Sequence, residues 1–356
     1  MDSPFDNKHM NNDFSLALLR WFQTNGRELP WRDTRNPYPI WLSEIILQQT
    51  RVQQGWDYWE RFMRRWPTVE QLAAATEDEV LREWQGLGYY SRARNLHAAA
   101  KQVVAMGGFP DTLEGIKSLK GVGDYTAAAI GSFAFGLPAA VVDGNVYRVL
   151  ARYFGIDTPI NTTEGKRTFA AMAQSLLPPD HAADYNQAIM DFGAVQCTPQ
   201  SPQCQTCPLM ETCTALREGR VGQLPVKQKT LTVKTRHLIY IYIRCQGCVA
   251  MHRRGEGDIW QGLWEPVLVE NERLETEDAA VLNRLRSSAS NLLLLRKGVR
   301  HVLTHRVLLA DFYLMDTDER PPLPAGYEWI AEQDRDRYGV PRLVEILFEA
   351  VEGARR

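Results

Sequence analysis

Apolar residues recur at helical spacing through roughly the first 220 positions of the chain. The stretches "FSLALLRWF", "ARNLHAAAKQVVAMGG", "DYTAAAIGSFAFG" and "NVYRVLARYFG" each place apolar residues three or four positions apart. Asp13 is placed to cap the first of these helices. Thr68 and Thr76 are placed to begin two short ones, with a stop at Gly86 or Gly88. The pattern predicts an all-helical first domain.

The pattern changes near "GQLPVKQKTLTVKT", residues 222–235, where proline, lysine and threonine replace helix-forming residues. Beyond it, "RHLIYIYIRCQGCVAMHRR" predicts a β-hairpin with Gln246 and Gly247 at the turn. Further predicted elements are strands at 264–270, 299–306 and 308–315 and helices near 277–287 and 341–351. We therefore predict a helical domain at 1–220, a linker at 221–235 and an α+β domain at 236–356.

The composition is that of a soluble globular protein, with 44% hydrophobic and 24% charged residues in 356. No apolar run approaches the roughly 20 residues of a membrane span, and the polar first residues lack a signal-peptide core. We expect a cytoplasmic monomer without a membrane partner. The formal net charge of −2 neither indicates nor excludes a nucleic-acid partner, because a local basic patch is sufficient for binding.

Glu44 lies inside the apolar run "IWLSEIIL", without a lysine or arginine within a helical turn. A carboxylate in such a setting is costly to bury unless it is paired or protonated. It is therefore a candidate for a carboxyl group with a raised pKa. Taken alone, it is also compatible with a partly exposed glutamate near a helix start.

Four of the six cysteines lie in the segment "CTPQSPQCQTCPLMETC" with the spacing C-x6-C-x2-C-x5-C. Four thiolates hold either a tetrahedral zinc ion or a [4Fe–4S] cluster. Clustered cysteines in a cytosolic chain favour metal binding over disulfides. The spacing alone leaves zinc ahead, since structural zinc sites are commoner.

Two further motifs precede predicted helices. In "LKGVGDYTAAAI", Gly121, Val122 and Gly123 let backbone amides approach a phosphate closely, although a lone G-x-G is also an ordinary tight turn. In "VVDGNVYRVL", Asp143 stands at a helix start, where an aspartate commonly serves as the N-cap.

Together these segments resemble the adenine DNA glycosylases of the MutY family, within the endonuclease III superfamily. The resemblance covers nearly the whole chain and includes "LPWR", "WLSEIILQQTRV", "GLGYYSRARNLH", "LKGVGDYTA" and "VDGNVYRVL". It implies an α+β multidomain protein, in which an all-α helix-hairpin-helix glycosylase domain with an iron–sulfur cluster loop precedes a Nudix-like α+β domain. It also implies a [4Fe–4S] cluster on Cys197, Cys204, Cys207 and Cys213, and a phosphate-binding hairpin at 121–123.

The resemblance further implies roles for individual residues. Glu44 would protonate N7 of adenine, Asp143 would stabilise the oxocarbenium-like sugar, and Tyr125 and Asn145 would orient this pair. Arg32 and Gln187 would line the base pocket, and Trp31 would also contact substrate. Gln49 and Tyr89 would wedge into the DNA stack. Tyr125 stands where lyases of the superfamily carry the Schiff-base lysine, which predicts a monofunctional enzyme that leaves an abasic site.

The second predicted domain resembles the Nudix-like recognition domain of MutY. The stretch "DIWQGLWEPVLV" is similar to its Trp-rich strand, and no Nudix-box array of glutamates is present. The family's Phe-Ser-His recognition loop appears here as Leu303, Thr304 and His305, which keeps a hydroxyl but loses the aromatic ring. The implied partner is double-stranded DNA with adenine opposite 8-oxoguanine.

Three alternatives remain open. The first is an endonuclease III-like glycosylase/lyase, against which Tyr125 and the second domain argue. The second is a mismatch glycosylase of the thymine-DNA type, against which Glu44 argues. The third is a non-catalytic iron–sulfur protein that binds DNA, against which the presence of both Glu44 and Asp143 argues.

Overall fold

The computed structural model describes residues 8–228, 233–270 and 292–354. The chain forms two compact units. The first comprises the residues up to Ala73 and those from Ala98 to 228, and the second comprises Ala74–His97 and the residues from 233 onwards. The boundaries 1–220, 221–235 and 236–356 stay a prediction. None of the described helices is both long and apolar enough to cross a membrane.

Up to residue 228 the described chain contains helices and no strand, so the prediction of a helical first domain is confirmed. The α-helices are α1 (Lys8–Asn25), α2 (Pro37–Leu47), α3 (Val52–Arg65), α4 (Val69–Ala74), α5 (Glu77–Trp84), α6 (Ser91–Ala105), α7 (Leu113–Lys117), α8 (Asp124–Phe135), α9 (Gly144–Phe154), α10 (Thr163–Leu176), α11 (Ala182–Asp191) and α12 (Thr214–Arg217). A π-helical turn, Phe192–Gln196, extends α11 towards the first cysteine.

The helix starts agree with the sequence in one place and differ in another. Thr76 and Glu79 form a reciprocal capping box at the start of α5, as predicted. Asp13 is not an N-cap, because α1 already begins at Lys8. The residues "KHMNN" before Asp13 contain no proline or glycine to interrupt the helix, so it extends past the expected cap.

The core of the first unit places α2 and α8 side by side, which brings the middle of α2 close to the start of α8. Nearly every residue of α2 is buried, from Tyr38 to Ile46. A second apolar cluster joins α1, α9, α10 and α11 through side chains such as Phe14, Leu150, Phe169 and Ile189. Packing against α2 therefore holds α8, and packing against α10 and α11 holds α9.

The second unit is built on one mixed sheet. Its strands are β1 (Lys234–Cys245), β2 (Cys248–Arg253), β3 (Trp264–Glu265), β4 (Val267–Glu270), β5 (Leu292–Val302), β6 (Arg306–Thr317) and β7 (Tyr327–Ala331). The order is β3–β2–β1–β6–β5, with β4 paired to β1 and β7 to β2. Among the strands that the structure describes, only β1 and β6 run parallel. Helix α13 (Arg342–Gly353) packs its apolar face, including Leu343 and Leu347, on one side of the sheet.

Most predicted elements of this unit are present. Gln246 and Gly247 form the β1–β2 turn with φ of 49° and 74°, as a two-residue I′ turn requires. The predicted strand at 264–270 is divided into β3 and β4, and the helix near 341–351 is α13. The helix predicted near 277–287 lies outside the described residues.

One expectation about this unit is wrong in part. The first half of "DIWQGLWEPVLV" is a turn rather than a strand, and only its second half contains β3 and β4. Trp260 and Gly262 have φ of 62° and 82°, and a left-handed backbone cannot continue a strand.

Candidate active site

Glu44 is buried in the middle of α2, where only 7% of its surface is exposed. Asn36 caps this helix by accepting a hydrogen bond from the Tyr38 amide at 3.0 Å, and Pro37 begins it. Burial raises the pKa of the Glu44 carboxyl from 4.5 to about 7. The nearby Asp143 charge raises it further, whereas the hydrogen bond from Tyr125 and the charge of Arg32 lower it.

Tyr125, in the first turn of α8, is the direct partner of this carboxyl. Its hydroxyl donates a hydrogen bond to Glu44 Oε2 at 2.7 Å. Burial and the two neighbouring carboxyl groups, Glu44 and Asp143, raise the pKa of Tyr125 well above its usual range. The phenol therefore stays protonated and holds Glu44 in position.

Asp143 is the N-cap of α9. Its Oδ1 accepts hydrogen bonds from the amides of Asn145 and Val146, and its Oδ2 accepts one from Asn145 Nδ2, all at 2.8 Å. Burial raises the pKa of Asp143 above its usual value, and these three hydrogen bonds oppose that rise. The helix start thus favours the ionised form, as expected from the sequence, but burial works against it.

Two residues that sequence analysis missed hold Asn145 in place. Arg148, one turn further along α9, donates hydrogen bonds to Asn145 Oδ1 at 2.8 Å and to the Gly193 carbonyl at 2.5 Å. Gly193 itself lies against Asn145 so closely that an added Cβ would stand 2.6 Å from the Asn145 Cβ. No local signal marks either residue, because their partners are distant in sequence.

A buried carboxylate also fixes Arg32. The fully buried Asp191 accepts hydrogen bonds from Arg32 at 2.7 and 2.8 Å, and from the Arg27 amide and side chain. Burial alone would raise the pKa of Asp191, but the two guanidinium groups outweigh it and lower that pKa. Arg32 is therefore positioned by its ion pair rather than by local structure.

A cavity of about 140 Å³ opens beside Glu44. Its lining brings together four of the predicted site residues, Glu44, Trp31, Arg32 and Gln187, from three separate elements of the first unit. Tyr125, Asp143 and Asn145 do not line this cavity. Tyr125 is hydrogen-bonded to Glu44, the charge of Asp143 acts on Glu44, and Asn145 is hydrogen-bonded to Asp143.

Gln49, Gly121 and Gly123 lie at exposed positions of the first unit, whereas Val122, between the two glycines, is buried. Gln49 is exposed and has φ of 59°, a left-handed conformation that is costly for a side chain and recurs at functional sites. Gly121 has φ of 77°, and Gly123 caps α8 in an extended conformation. Helices α7 and α8 and the turn between them thus form a helical hairpin. The backbone amides of the two exposed glycines lie at the N-terminus of α8, where an anion such as phosphate is favoured.

The four predicted cluster ligands surround one small cavity. Cys197, Cys204, Cys207 and Cys213 are free, half-buried and line it together with Arg152. Among the residues that the structure describes, no group of three or more His, Cys, Asp or Glu is placed to hold a metal ion. The thiols instead surround a space, and a cluster with several irons needs such an arrangement because each iron takes its own thiolate.

Two arginines of α9 hydrogen-bond to the cysteine loop. Arg152 donates hydrogen bonds to the Thr198 carbonyl at 2.7 Å and to Cys197 Sγ at 3.4 Å, and Arg148 donates one to the Cys197 carbonyl at 2.7 Å. Both arginines are buried. The helix that begins at Asp143 therefore also supports the loop.

The predicted recognition residues meet within the second unit. Leu303, Thr304 and His305 form the turn between β5 and β6, and the Thr304 hydroxyl is hydrogen-bonded to that of Tyr89. These residues line a cavity of about 480 Å³ together with Arg94, Asp258 and Trp260. Tyr89, like Gln49, has a left-handed backbone with φ of 47°.

Asp258 binds residues at the base of the β5–β6 turn, which is the predicted recognition turn. It accepts hydrogen bonds from Arg236 at 2.7 Å and from Arg306, the residue after the turn, at 2.9 Å. Although burial opposes ionisation, these guanidinium groups hold the pKa of Asp258 well below its usual range. Sequence analysis did not single out this ion-pair network.

Three segments of the chain match known families. Residues 42–174 match the HhH-GPD superfamily of base excision DNA repair proteins. Residues 197–213 match the iron–sulfur binding domain of endonuclease III, and residues 239–350 match the NUDIX domain.

Named relatives are similar over different shares of their length. The adenine DNA glycosylase of Mus musculus is 43% identical over 222 residues, covering 59% of this chain and 43% of that protein. That of Buchnera aphidicola is 36% identical over 256 residues, covering 70% and 72%. The solved structure of a thermostable thymine-DNA glycosylase is 31% identical with a TM-score of 0.55, covering 60% of this chain and all of that one. The chain matches less than half the length of the mouse relative.

The helical fold, the hairpin and the matched segments define a helix-hairpin-helix base excision repair protein with a Nudix-like domain. Its cysteine loop is an iron–sulfur site, so the predicted cofactor is confirmed as an iron–sulfur cluster. Within this superfamily, the chain belongs to the adenine DNA glycosylase family, known as the MutY family.

Proposed function

We propose that this protein is a monofunctional DNA glycosylase that removes adenine mispaired with 8-oxoguanine, and also adenine opposite guanine, from double-stranded DNA. One observation carries the proposal: burial beside a cavity raises the pKa of Glu44 to about 7, so it remains partly protonated near neutral pH. The expected monomeric state and cytoplasmic location stay predictions.

In the proposed reaction, Glu44 is the general acid. Adenine is a poor leaving group as an anion, and protonation at N7 lets it depart as a neutral base. The adenine must first leave the base stack, and the cavity lined by Trp31, Arg32 and Gln187 would receive it. Tyr125 would keep the carboxyl of Glu44 oriented towards the base.

Asp143 then supports the positive charge that develops on the sugar. Its ionised form would stabilise an oxocarbenium-like sugar electrostatically until water attacks, as the second carboxylate does in glycoside hydrolases. Asn145 fixes the Asp143 carboxylate through its side-chain amide. Asp143 accepts three hydrogen bonds at the start of α9, which favour its ionised form, whereas Glu44 accepts one from Tyr125.

The described residues that line the cavity offer no amine for a Schiff base. Position 125 carries a phenol, and none of the described residues lining the cavity is a lysine. The four cysteine thiolates would hold the iron–sulfur cluster, which would cross-link the Cys197–Cys213 loop, and Arg148 and Arg152 hydrogen-bond that loop to α9. The products are free adenine and an abasic site.

The second unit would recognise the base opposite the adenine. Thr304 offers a hydroxyl at the exposed β5–β6 turn, His305 follows it, and the Tyr89 hydroxyl holds Thr304 in place. Hydrogen bonds to the oxidised base would distinguish it from guanine, each contributing about 1 kcal/mol. Gln49 and Tyr89, both in strained conformations at the surface, would wedge into the stack.

A base-release assay under single-turnover conditions tests the proposal. Duplexes with A:8-oxoguanine, A:G, A:C and T:G would be compared, with Glu44→Gln and Asp143→Asn as variants. We expect free adenine from A:8-oxoguanine first, and loss of turnover with retained DNA binding in both variants, since phosphate contacts are separate from the chemistry. Adenine release at a normal rate by either variant would falsify the assignment.

A second candidate, a thymine-DNA glycosylase, is favoured by the similarity to that solved structure over 60% of the chain. Thymine offers no N7 to protonate, so Glu44 would have no evident role in its removal. Release of thymine from T:G at a rate comparable to that of adenine would favour this candidate.

A further inference from the structure

A second pair of cysteines lies far from the cluster loop in sequence. Cys245 and Cys248 flank the two-residue turn of the β1–β2 hairpin, in the sequence Cys-Gln-Gly-Cys. They are directly opposite each other in the antiparallel pair, and both are free thiols. The neighbouring residues Ile243 and Ala250 are buried on the same face of the sheet.

The geometry of this pair is compatible with a disulfide. Residues directly opposite in an antiparallel pair have Cα atoms about 4.5–5.5 Å apart and side chains on one face. A disulfide needs Cα atoms about 4.4–6.8 Å apart. The two thiols can therefore be joined without separating the strands.

The two thiols differ in access and surroundings. Cys245 is buried, with 1% of its surface exposed, whereas Cys248 is half-buried. The Arg320 guanidinium lies 3.9 Å from Cys248 Sγ and also stacks over the Trp329 ring. The guanidinium is thus placed to donate a hydrogen bond to an oxygen atom added at the Cys248 sulfur.

We propose that Cys245 and Cys248 form a reversible, peroxide-sensitive dithiol site in the second unit. The Cys248 thiolate attacks hydrogen peroxide, the O–O bond breaks, and one water leaves after proton transfer, giving a sulfenic acid. The Cys245 thiol then attacks that sulfur, the S–O bond breaks, and a second water leaves. Each sulfur loses one electron, and the peroxide gains two.

The small size of the closed loop indicates what the disulfide does. A cross-link across two intervening residues removes little entropy from the unfolded chain, so it contributes little to stability. Its effect is chemical: Cys245 captures the sulfenic acid before further peroxide converts it to an irreversible product. Cys245 is the last residue of β1, whereas Lys234, the first residue, pairs with Arg306 next to the recognition turn. Because the two sites are at opposite ends of this strand, oxidation should leave the turn intact.

The sequence allows a direct test, because trypsin cleaves after Arg244 and Arg253 and releases residues 245–253 as one peptide. The cluster cysteines lie in another peptide, residues 168–217. The full-length protein is treated briefly with hydrogen peroxide, alkylated and digested. We expect the 245–253 peptide to become two hydrogens lighter, to resist alkylation and to recover both thiols with dithiothreitol.

Three variants make the test specific. In Cys245→Ala, Cys248 should carry sulfinic or sulfonic oxygens that dithiothreitol does not remove. Arg320→Met should slow disulfide formation several-fold, whereas Arg337→Met, at another exposed arginine, should not. An unchanged rate in Arg320→Met would overturn the role assigned to that residue.

The exposed Met106 serves as an internal measure of the peroxide dose. If both hairpin cysteines still alkylate fully at doses that oxidise Met106, the proposal is overturned. Irreversible oxidation of Cys248 in the wild-type protein, without a disulfide, would overturn it equally.

Discussion

At the scale of single residues, the cost of burying Glu44 couples stability to pH. Its pKa rises from 4.5 in the unfolded chain to about 7 in the folded protein, so the folded state binds the proton more tightly. The corresponding stability is complete below pH 4.5 and is lost as pH rises through 7. The loss is about 3 kcal/mol once Glu44 is fully ionised in both the folded and the unfolded protein.

Glu44→Gln should therefore be more stable than the wild type at pH 8 by about 1–3 kcal/mol, because the amide is never charged. At pH 4, below the pKa of the unfolded carboxyl, the difference should nearly vanish. Urea denaturation at the two pH values measures it. A variant that is equally stable or less stable at pH 8 would contradict the raised pKa.

Gly193 leaves the space that Asn145 occupies beside Asp143, because it has no side chain. In Gly193→Ala, the new Cβ would meet the Asn145 Cβ at 2.6 Å and its carbonyl oxygen at 3.0 Å, so Asn145 must shift. Because Asn145 holds Asp143, we expect adenine release to fall about 10- to 100-fold while DNA binding is kept.

Gly222→Ala is the matched control, since an added Cβ there meets no atom within 4 Å. Single-turnover rates and DNA affinities of the two variants would be compared. Equal rates in both would show that Asn145 tolerates the added methyl group.

At the scale of elements, the helical hairpin carries a charge that opposes its proposed contact with phosphate. Asp124, the first residue of α8, is exposed and paired with Lys117 at the end of α7. Asp124→Asn should free Lys117 for a phosphate. We expect tighter DNA binding and a salt dependence steeper by about 1 in log K against log salt concentration.

Asp111→Asn removes the same charge at another exposed position and should have a smaller effect. Fluorescence anisotropy with a duplex at several salt concentrations would separate the two. Equal salt slopes in Asp124→Asn and the wild type would mean that Lys117 does not reach the backbone.

The cysteine loop is the second element with a defined consequence for folding. Its residues form little regular structure, and Arg148 and Arg152 bind it through carbonyl groups and Cys197 Sγ. Cys207→Ser should lower iron content and reduce the free energy of unfolding by on the order of 2–4 kcal/mol, since ligand binding contributes to folding. Cys248→Ser should retain the iron. Iron analysis and thermal melts check both variants.

At the scale of the whole molecule, the second unit is built from two separate segments of the chain. Residues 74–97, which precede the hairpin and the cluster, belong to the second unit. Within that unit, Arg253 pairs with Glu77 and Asp78, and Arg94 donates a hydrogen bond to the Gln261 carbonyl at 2.6 Å. This segment therefore depends on residues more than 150 positions away.

A chain truncated after residue 228 should keep Glu44, Asp143 and the cluster loop and should still release adenine. It should lose its preference for 8-oxoguanine over guanine, because Thr304 and His305 are removed. Segment 74–97 should become sensitive to trypsin, because its partners in the second unit are gone. Rates on the two duplexes at one salt concentration, with limited proteolysis, test this. A full preference in the truncated protein would require another role for the second unit.

Local pattern in the sequence was enough to predict the helical first part, the Thr76 capping box, the β1–β2 hairpin and a metal site in the cysteine segment, whereas the choice of an iron–sulfur cluster over zinc came from the family resemblance. Each depends on residues a few positions apart, since helix periods, caps and turns are formed by near neighbours. The apolar neighbours of Glu44 likewise indicated its raised pKa. The same local reasoning failed at two places. Helix α1 begins before Asp13, and a turn rather than a strand contains Trp260.

Only the tertiary structure decided how the site is held. Tyr125 meets Glu44 across 81 positions of sequence, Arg32 meets Asp191 across 159, and Gly193 lies against Asn145. The assignment of residues 74–97 to the second unit is of the same kind. Burial, ion pairing and close packing depend on which distant segments come together, and no short-range pattern encodes that choice.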